Sequence, residues 1–246
     1  MKTVGIIPTR LESSRLPRKA LLDICGLPMI VHVLKRTSFS KLLDDVYVAT
    51  DSNEISDIVQ ENNGKVIMTG QHHNNGTERI AEAAEKIDAE IVVNIQGDEA
   101  LVNPNHIDQA VKILLDDEKV NVGLLVNKYY KKGIHSDIKA VLDNDNNVLY
   151  LSRNDIPSVS RKKDFPKLKA YHIVPFRKEF LIKYSKWEKS YLEKIEFNEY
   201  LRILERGYKI KAKEVESDAI SVDTSSDLEY VRGAMIKDPW YLKYKT

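Results

Sequence analysis

Apolar residues recur along this chain in two alternating rhythms. Short unbroken runs are followed by longer stretches with apolar positions three and four apart, the pattern of strands leading into amphipathic helices. Runs at 4–7, 46–50, 65–68, 90–95 and 120–126 are short, β-branched and bounded by polar turns, and each reads as a strand. Between them, 29–41, 53–61, 77–87 and 106–115 read as helices, with Ile55, Ile58 and Val59 on one face of the second and Asp51 or Ser52 placed to cap it. Such alternation predicts an α/β fold with a mixed, mainly parallel sheet flanked by helices and joined by right-handed crossovers. The run EIVVNI at 90–95 is the most hydrophobic and predicts a central strand buried on both faces.

Past residue 126 the rhythm changes. KYYKK at 128–132, the DNDNN turn inside 141–150, and 161–169 read as hairpins and loops, an antiparallel excursion inserted into the fold. Helices are predicted again at 180–194, 197–205 and 227–235, with a strand at 209–215. No repeat, low-complexity tract or flexible linker intervenes, so 1–246 reads as one domain: a core of 1–126 and 206–246, and a subregion of 127–205.

A chain of 246 residues can bury a sizeable core of this kind. Lys and Arg number 38 against 37 Asp and Glu, so overall charge gives no reason to expect nucleic acid or an anionic membrane as partner. The one cysteine, Cys25, excludes an intramolecular disulfide, and no run of 18 apolar residues occurs. These features predict a soluble cytoplasmic protein.

Candidate chemistry lies where strands end. The first strand empties into PTRLESSRLPRKA, a loop bearing Arg10, Ser13, Ser14, Arg15 and Lys19, which is how an α/β protein presents cations and N–H groups to a phosphorylated ligand. The P-loop and dinucleotide fingerprints are both absent, and a solvated basic turn would carry the same residues. After the central strand come Gln96, Gly97, Asp98 and Glu99, acids suited either to a hard divalent cation or to capping a turn. Asp223 could be a second oxygen ligand, whereas Thr224 reads as the cap of the last helix. Gly76 and Arg79 open a helix after a polar loop, a place for a base or phosphate. His72 and His73 lack a Cys or an H-x-x-x-H spacing and read as solvated. G-x-S-x-G, H-E-x-x-H and RNP-type signatures are missing.

The blocks IIPTRLESSRLPRKALLDICGLPMIVHV, VYVATDSNEI, KVIMTGQHHNNGTERIAEA, IVVNIQGDE, LYLSRNDIP, LRILERGYKI and VDTSSDLEYVR, in this order and spacing, resemble those of the CMP-Kdo synthetases, the 3-deoxy-manno-octulosonate cytidylyltransferases. The resemblance spans nearly the whole chain. It implies a Rossmann-like nucleotidyltransferase fold and a homodimer. The implied reaction is transfer of CMP from CTP to a hydroxyl of an acidic sugar, with release of pyrophosphate. It places Pro8, Arg10, Ser14, Arg15, Lys19, Gly76, Arg79 and Gln96 around the nucleotide, and Arg15, Lys19 and Asp98 at the chemistry. It makes Asp98 and Asp223 ligands of Mg²⁺, and puts Tyr150, Arg153, Tyr200 and Arg202 on the acceptor side, in the subregion 127–205, which would also dimerise. Four positions depart from the family pattern: Arg18 for Gly, Ala100 for Pro, Tyr200 for Gln and Ala170 for His. Since Tyr200 and Ala170 belong to the acceptor side, another ulosonic acid stays open as acceptor. A nucleotidyltransferase with a different nucleotide or a non-sugar acceptor, and a non-catalytic nucleotide-binding protein, stand beside this reading.

Overall fold

The computed structural model describes every residue except Ser14, Val159, 162–164, 218–219 and Thr246. The elements follow in chain order: β1 (Thr3–Pro8), β2 (Asp23–Ile24), β3 (Leu27–Pro28), α1 (Met29–Thr37), β4 (Asp45–Thr50), α2 (Asn53–Glu61), β5 (Lys65–Met68), α3 (Gly76–Glu85), β6 (Ile91–Ile95), α4 (Pro104–Leu115) and β7 (Gly123–Tyr129). Then come β8 (Lys139–Leu142), β9 (Val148–Ser152), β10 (Lys167–Tyr171), β11 (Ile173–Arg177), α5 (Lys178–Ser185), α6 (Tyr191–Glu196), α7 (Leu201–Glu205), β12 (Lys211–Glu214) and α8 (Ser225–Met235).

Two five-stranded sheets result. The first has the order β11-β6-β1-β4-β5 and is parallel except for β11, which runs antiparallel to β6. The second has the order β12-β7-β10-β8-β9, parallel only between β12 and β7. The expected antiparallel excursion is therefore a sheet of its own, and it draws in β7 and β12 from the stretches assigned to the core. Conversely β11, inside 127–205, completes the first sheet. No segment of the pattern announced β11, because its five residues follow β10 with only His172 between them.

The central strand is buried on both faces, as its composition predicts. Val92 packs with Ile80, Ala84 and Phe180 of α3 and α5, while Ile91, Val93 and Ile95 pack with Val31, Ile55 and Ile107 of α1, α2 and α4. Removing an Ile or Val from water is worth about 1.5–3 kcal/mol each, so this strand anchors both layers. Other boundaries shift for local reasons. The first helix stops at Thr37, where Ser38 turns its hydroxyl back to the Leu34 carbonyl at 2.9 Å. The helix expected over 180–194 is two helices, because a capping box of Ser190 and Glu193 starts α6 anew. Phe197, expected within a helix, instead ends α6 in the left-handed conformation at φ 49°. Among the described residues no helix is long and apolar enough to cross a membrane.

Candidate active site

The site forms where the carboxyl ends of β1 and β6 meet the start of α3. Thr9 still donates its N–H to the Ala49 carbonyl at 2.9 Å, so the chain leaves the first sheet only at Arg10. A Cβ at Gly97 would stand 2.8 Å from the Pro8 carbonyl oxygen, so only glycine lets the two strand ends come this close. The cleft they open has a volume of ≈ 270 Å³, and Pro8, Arg10, Arg15, Lys19, Gly76, Arg79, Gln96 and Asp98 line it. The described part of the predicted nucleotide set is thus brought together, while Ser14 lies outside the described residues.

Three separated segments meet on one ammonium. Lys19 Nζ donates to Asp98 Oδ2 at 2.6 Å and to Asp223 Oδ1 at 3.2 Å, and Arg15 reaches the same Asp223 oxygen at 2.9 Å. The two acids hold their places through the backbone. The Val222 N–H donates to the Asp98 carbonyl at 3.0 Å, and the Asp223 N–H donates to Asp227 Oδ2 at 3.1 Å. Thr224 and Asp227 form the capping box of α8, the role the sequence gives Thr224. Glu99 turns inward instead. Burial first, then the neighbouring Asp98 charge, pushes its carboxyl up to about 7, and its Oε1 accepts from Ser221 at 3.1 Å.

Arg79 is more committed than its sequence position suggests. Its guanidinium donates to Asp51 at 2.9 Å and to Thr69 Oγ1 at 2.6 Å, tying α3 to the ends of β4 and β5. Asn75 caps the helix by accepting the Glu78 N–H at 2.8 Å, which sets Gly76 at the cleft. Arg18 does not line the cleft. It is exposed, adopts the left-handed conformation at φ 57°, and pairs with Glu54 of α2.

The four acceptor-side candidates lie apart from this cleft, in the second sheet and α7. Tyr150, Ser152 and Arg153 all bond Glu196: Ser152 Oγ donates to Oε1 at 2.8 Å, the Arg153 N–H to Oε2 at 3.0 Å, and the Tyr150 hydroxyl to Oε1 at 3.4 Å. The Arg153 guanidinium is spread over the Glu196, His135 and Phe197 carbonyls. Arg202 is the most enclosed of the four. Its side chain is 2% exposed, forks onto Glu193 at 2.8 and 2.9 Å, donates to the Trp187 carbonyl at 2.6 Å, and lies over the Tyr184 ring. Three of its five N–H groups are thus engaged inside the protein. Tyr200 is also buried, its hydroxyl directed at Thr77 and Asn94. Ala170 is buried in strand β10 and its N–H donates to the Ile138 carbonyl at 2.8 Å.

Sequence reasoning passed over His172. It sits where the chain crosses from the second sheet into the first, stacks on Tyr200 at 6.3 Å, and is close enough to both Asp98 and Arg153 to sense their charges. Burial, then Lys169, depresses its imidazole to about 4, so it is neutral at ordinary pH. A lone histidine after an apolar run gives no signal of its own; only the switch of sheets makes it a boundary residue. Glu199 was also missed. Burial pushes its carboxyl up to about 7, and Thr77 Oγ1 donates to it at 2.7 Å.

A larger hollow of ≈ 370 Å³ lies beside α1 and the β4–β5 edge, but its charges answer one another or the backbone: Lys65 pairs with Asp45, and Asp44 accepts the Thr3 N–H. It offers no converging cations of the kind at Lys19.

A family model described as "Cytidylyltransferase" matches residues 4–210. The 3-deoxy-manno-octulosonate cytidylyltransferase of Geotalea uraniireducens is 39% identical over 94% of this chain and 98% of its own length, and that of Geobacter metallireducens 38% identical over 94% and 96%. The solved structure of CMP:2-keto-3-deoxy-manno-octonic acid synthetase complexed with CTP superposes with a TM-score of 0.92 at 36% identity, covering 96% of this chain and 99% of that one. A 4-diphosphocytidyl-2C-methyl-D-erythritol synthase from Anaerococcus prevotii, at 14% identity and a TM-score of 0.63, shares the fold. The two sheets, the cation-lined cleft at the strand ends of the first of them and a likeness that runs from end to end make this chain a member of the 3-deoxy-manno-octulosonate cytidylyltransferase family.

Proposed function

We propose that this protein transfers CMP from CTP to a hydroxyl of Kdo, releasing pyrophosphate, and does so in the cytoplasm to supply surface polysaccharide assembly. The observation that carries the reading is the convergence of Arg15, Lys19, Asp98 and Asp223 at one end of the cleft, in a chain related over its length to a synthetase solved with CTP.

In this reaction the acceptor oxygen forms a bond to the α-phosphorus while the bond from that phosphorus to the β-phosphate bridging oxygen breaks. The hydroxyl proton is released and negative charge grows on the departing pyrophosphate. Arg10, Arg15 and Lys19 stand along the cleft to meet that charge, and preplaced cations of this kind are worth several kcal/mol because they need not reorganise. Gly76 at the capped start of α3 adds backbone polarity that favours an anion. Gln96, braced by its Nε2 donating to Asn94 Oδ1 at 3.3 Å, presents its remaining polar edge to the nucleotide.

The donor set supports Mg²⁺. Two carboxylates already converge on one cation, Lys19 Nζ, and one or two carboxylates with no sulfur or nitrogen are what a hard divalent ion takes. Asp98 and Asp223 would hold the ion, which would supply charge neutralisation at the phosphates.

Kdo is favoured as acceptor because the departures from the family pattern at Ala170 and Tyr200 fall on buried side chains, 1% and 3% exposed, and change packing before they change a binding surface. Incubating the purified protein with CTP, Mg²⁺ and a panel of ulosonic acids should release pyrophosphate fastest with Kdo. Release with none of them overturns the reading.

Self-association is part of the proposal. Leu149 on edge strand β9 and Tyr191, Ile195 and Phe197 on and after α6 are exposed apolar side chains, 55–78% accessible, on neighbouring elements. Sedimentation should give a dimer, and Phe197→Asp should shift it toward monomer.

A further inference from the structure

The loop before α3 carries two histidines that read as solvated in the sequence, but only His72 is exposed, and the His73 side chain is folded back against the helix, 7% exposed. His73 Nε2 lies 2.6 Å from Glu82 Oε2, the His72 and His73 rings are 4.3 Å apart, and one ligand atom from each of the three residues lies within 4.8 Å of the others. Neither Asp98 nor Asp223 belongs to this group. Sequence spacing hid it because the third donor comes from a helix nine residues on, not from an H-x-x-x-H pair.

The arrangement is held from outside. The Gly70 N–H donates to Glu82 Oε2 at 2.9 Å, and Lys86 Nζ holds the other oxygen at 2.6 Å while also donating to the Met68 carbonyl. A Cβ on Gly70 would collide with the His72 ring, so the absent side chain is what lets that ring sit here. Partial burial pushes the Glu82 carboxyl up, but Lys86, the Gly70 N–H and His73 outweigh it and bring it down to about 2, so it is an ionised donor. Metal-site carboxylates and imidazoles are oriented by outer partners in the same way.

We propose that His72, His73 and Glu82 form a site for a borderline divalent transition-metal ion, best fitted by Zn²⁺, at the rim of the nucleotide cleft and separate from the Asp98–Asp223 pair. Two imidazole nitrogens and one carboxylate make the three-ligand set that leaves a zinc position open for water or another oxygen, and the nitrogens disfavour Mg²⁺ and Ca²⁺. The ion takes the place of the hydrogen bond between His73 and Glu82, with loss of any proton on the ligating nitrogens. Because His73 lines the cleft with Asn74, Asn75 and Gly76, an occupied site fastens this loop to α3. The site stands whether or not the cleft takes CTP.

The test is equilibrium dialysis of the untagged protein against Zn²⁺ with Mg²⁺ in excess, followed by elemental analysis, for wild type, His72→Ala, Glu82→Gln and Asp98→Asn. Wild type and Asp98→Asn should each retain about one zinc per chain. His72→Ala and Glu82→Gln should bind at least about 10-fold more weakly. His72 is exposed and Gln has the shape of Glu, so both variants keep the fold, checked by circular dichroism in the presence of chelator. Substituting Co²⁺ should give visible absorption in wild type that His72→Ala loses. No retained zinc in wild type, undiminished binding in both site variants, or loss confined to Asp98→Asn overturns the proposal.

Discussion

The cations of the cleft and those around α6 and α7 are the same kinds of side chain put to opposite uses. In the cleft Arg15 is 63% exposed and leans on Asp223, and Lys19 is partly open and leans on Asp98 and Asp223. Away from the cleft Arg202 is sealed in the interior on Glu193, and the Arg153 guanidinium is spread over backbone carbonyls. A surface pair in water is worth under about 1 kcal/mol and rearranges at little cost, whereas breaking a buried pair costs about 3–5 kcal/mol. The first arrangement can rearrange around a ligand; the second holds α6, α7 and the end of β9 together.

The comparison breaks most decisively at Lys19. Lys19→Ala should lower kcat/KM for CTP by about 10³-fold or more, roughly 4 kcal/mol of transition-state stabilisation, with little change in melting temperature. Comparable turnover in this variant would mean that the cleft cations are not the chemical ones. Arg202→Leu should do the reverse, costing about 3–5 kcal/mol in urea unfolding while the surviving folded protein keeps its KM for CTP. A stable Arg202→Leu protein with a raised KM for the acceptor alone would return Arg202 to the binding surface.

Glu199 sharpens the contrast through pH. Its folded-state carboxyl, raised from 4.5 to about 7, keeps a proton that the unfolded chain gives up, so its stabilising contribution is complete below pH 4.5 and is lost as pH rises through about 7. Stability should therefore fall between about pH 4.5 and 7 and level off above that, by about 3 kcal/mol or less, and Glu199→Gln should flatten that fall in melting temperature. Glu99, raised to about 7 as well, adds to the same slope, so the variant removes part of it. The smallest effect belongs to Arg18→Gly. Relief of a left-handed arginine, about 1 kcal/mol, is offset by loss of the exposed pair with Glu54, and both stability and the CTP dependence should stay near wild type.

What the sequence made legible was local. The alternation of runs placed nearly every strand and helix of the first sheet, and the capping residues Ser52, Asn75 and Thr224 do what their side chains allow. Cations after β1 and an acid after β6 were readable because strand ends in parallel sheets share one edge. The acceptor side was less readable because an arginine carries the same letter whether it faces water or Glu193. Only the fold shows that Glu193, nine residues before Arg202, lies across the α6–α7 turn and takes its fork. The join at His172 was hidden too, since nothing in the pattern of Lys167–Tyr171 and Ile173–Arg177 says that they belong to different sheets.

That join governs the order in which the protein can be made. Ile95 pairs with Ile173 and Ile91 with Arg177, so until β11 has been made β6, paired with β1 on one side, is an edge strand on the other. Edge strands of this composition invite pairing with other chains. A fragment ending at 126 would therefore leave β6, a strand buried on both faces, with one open edge.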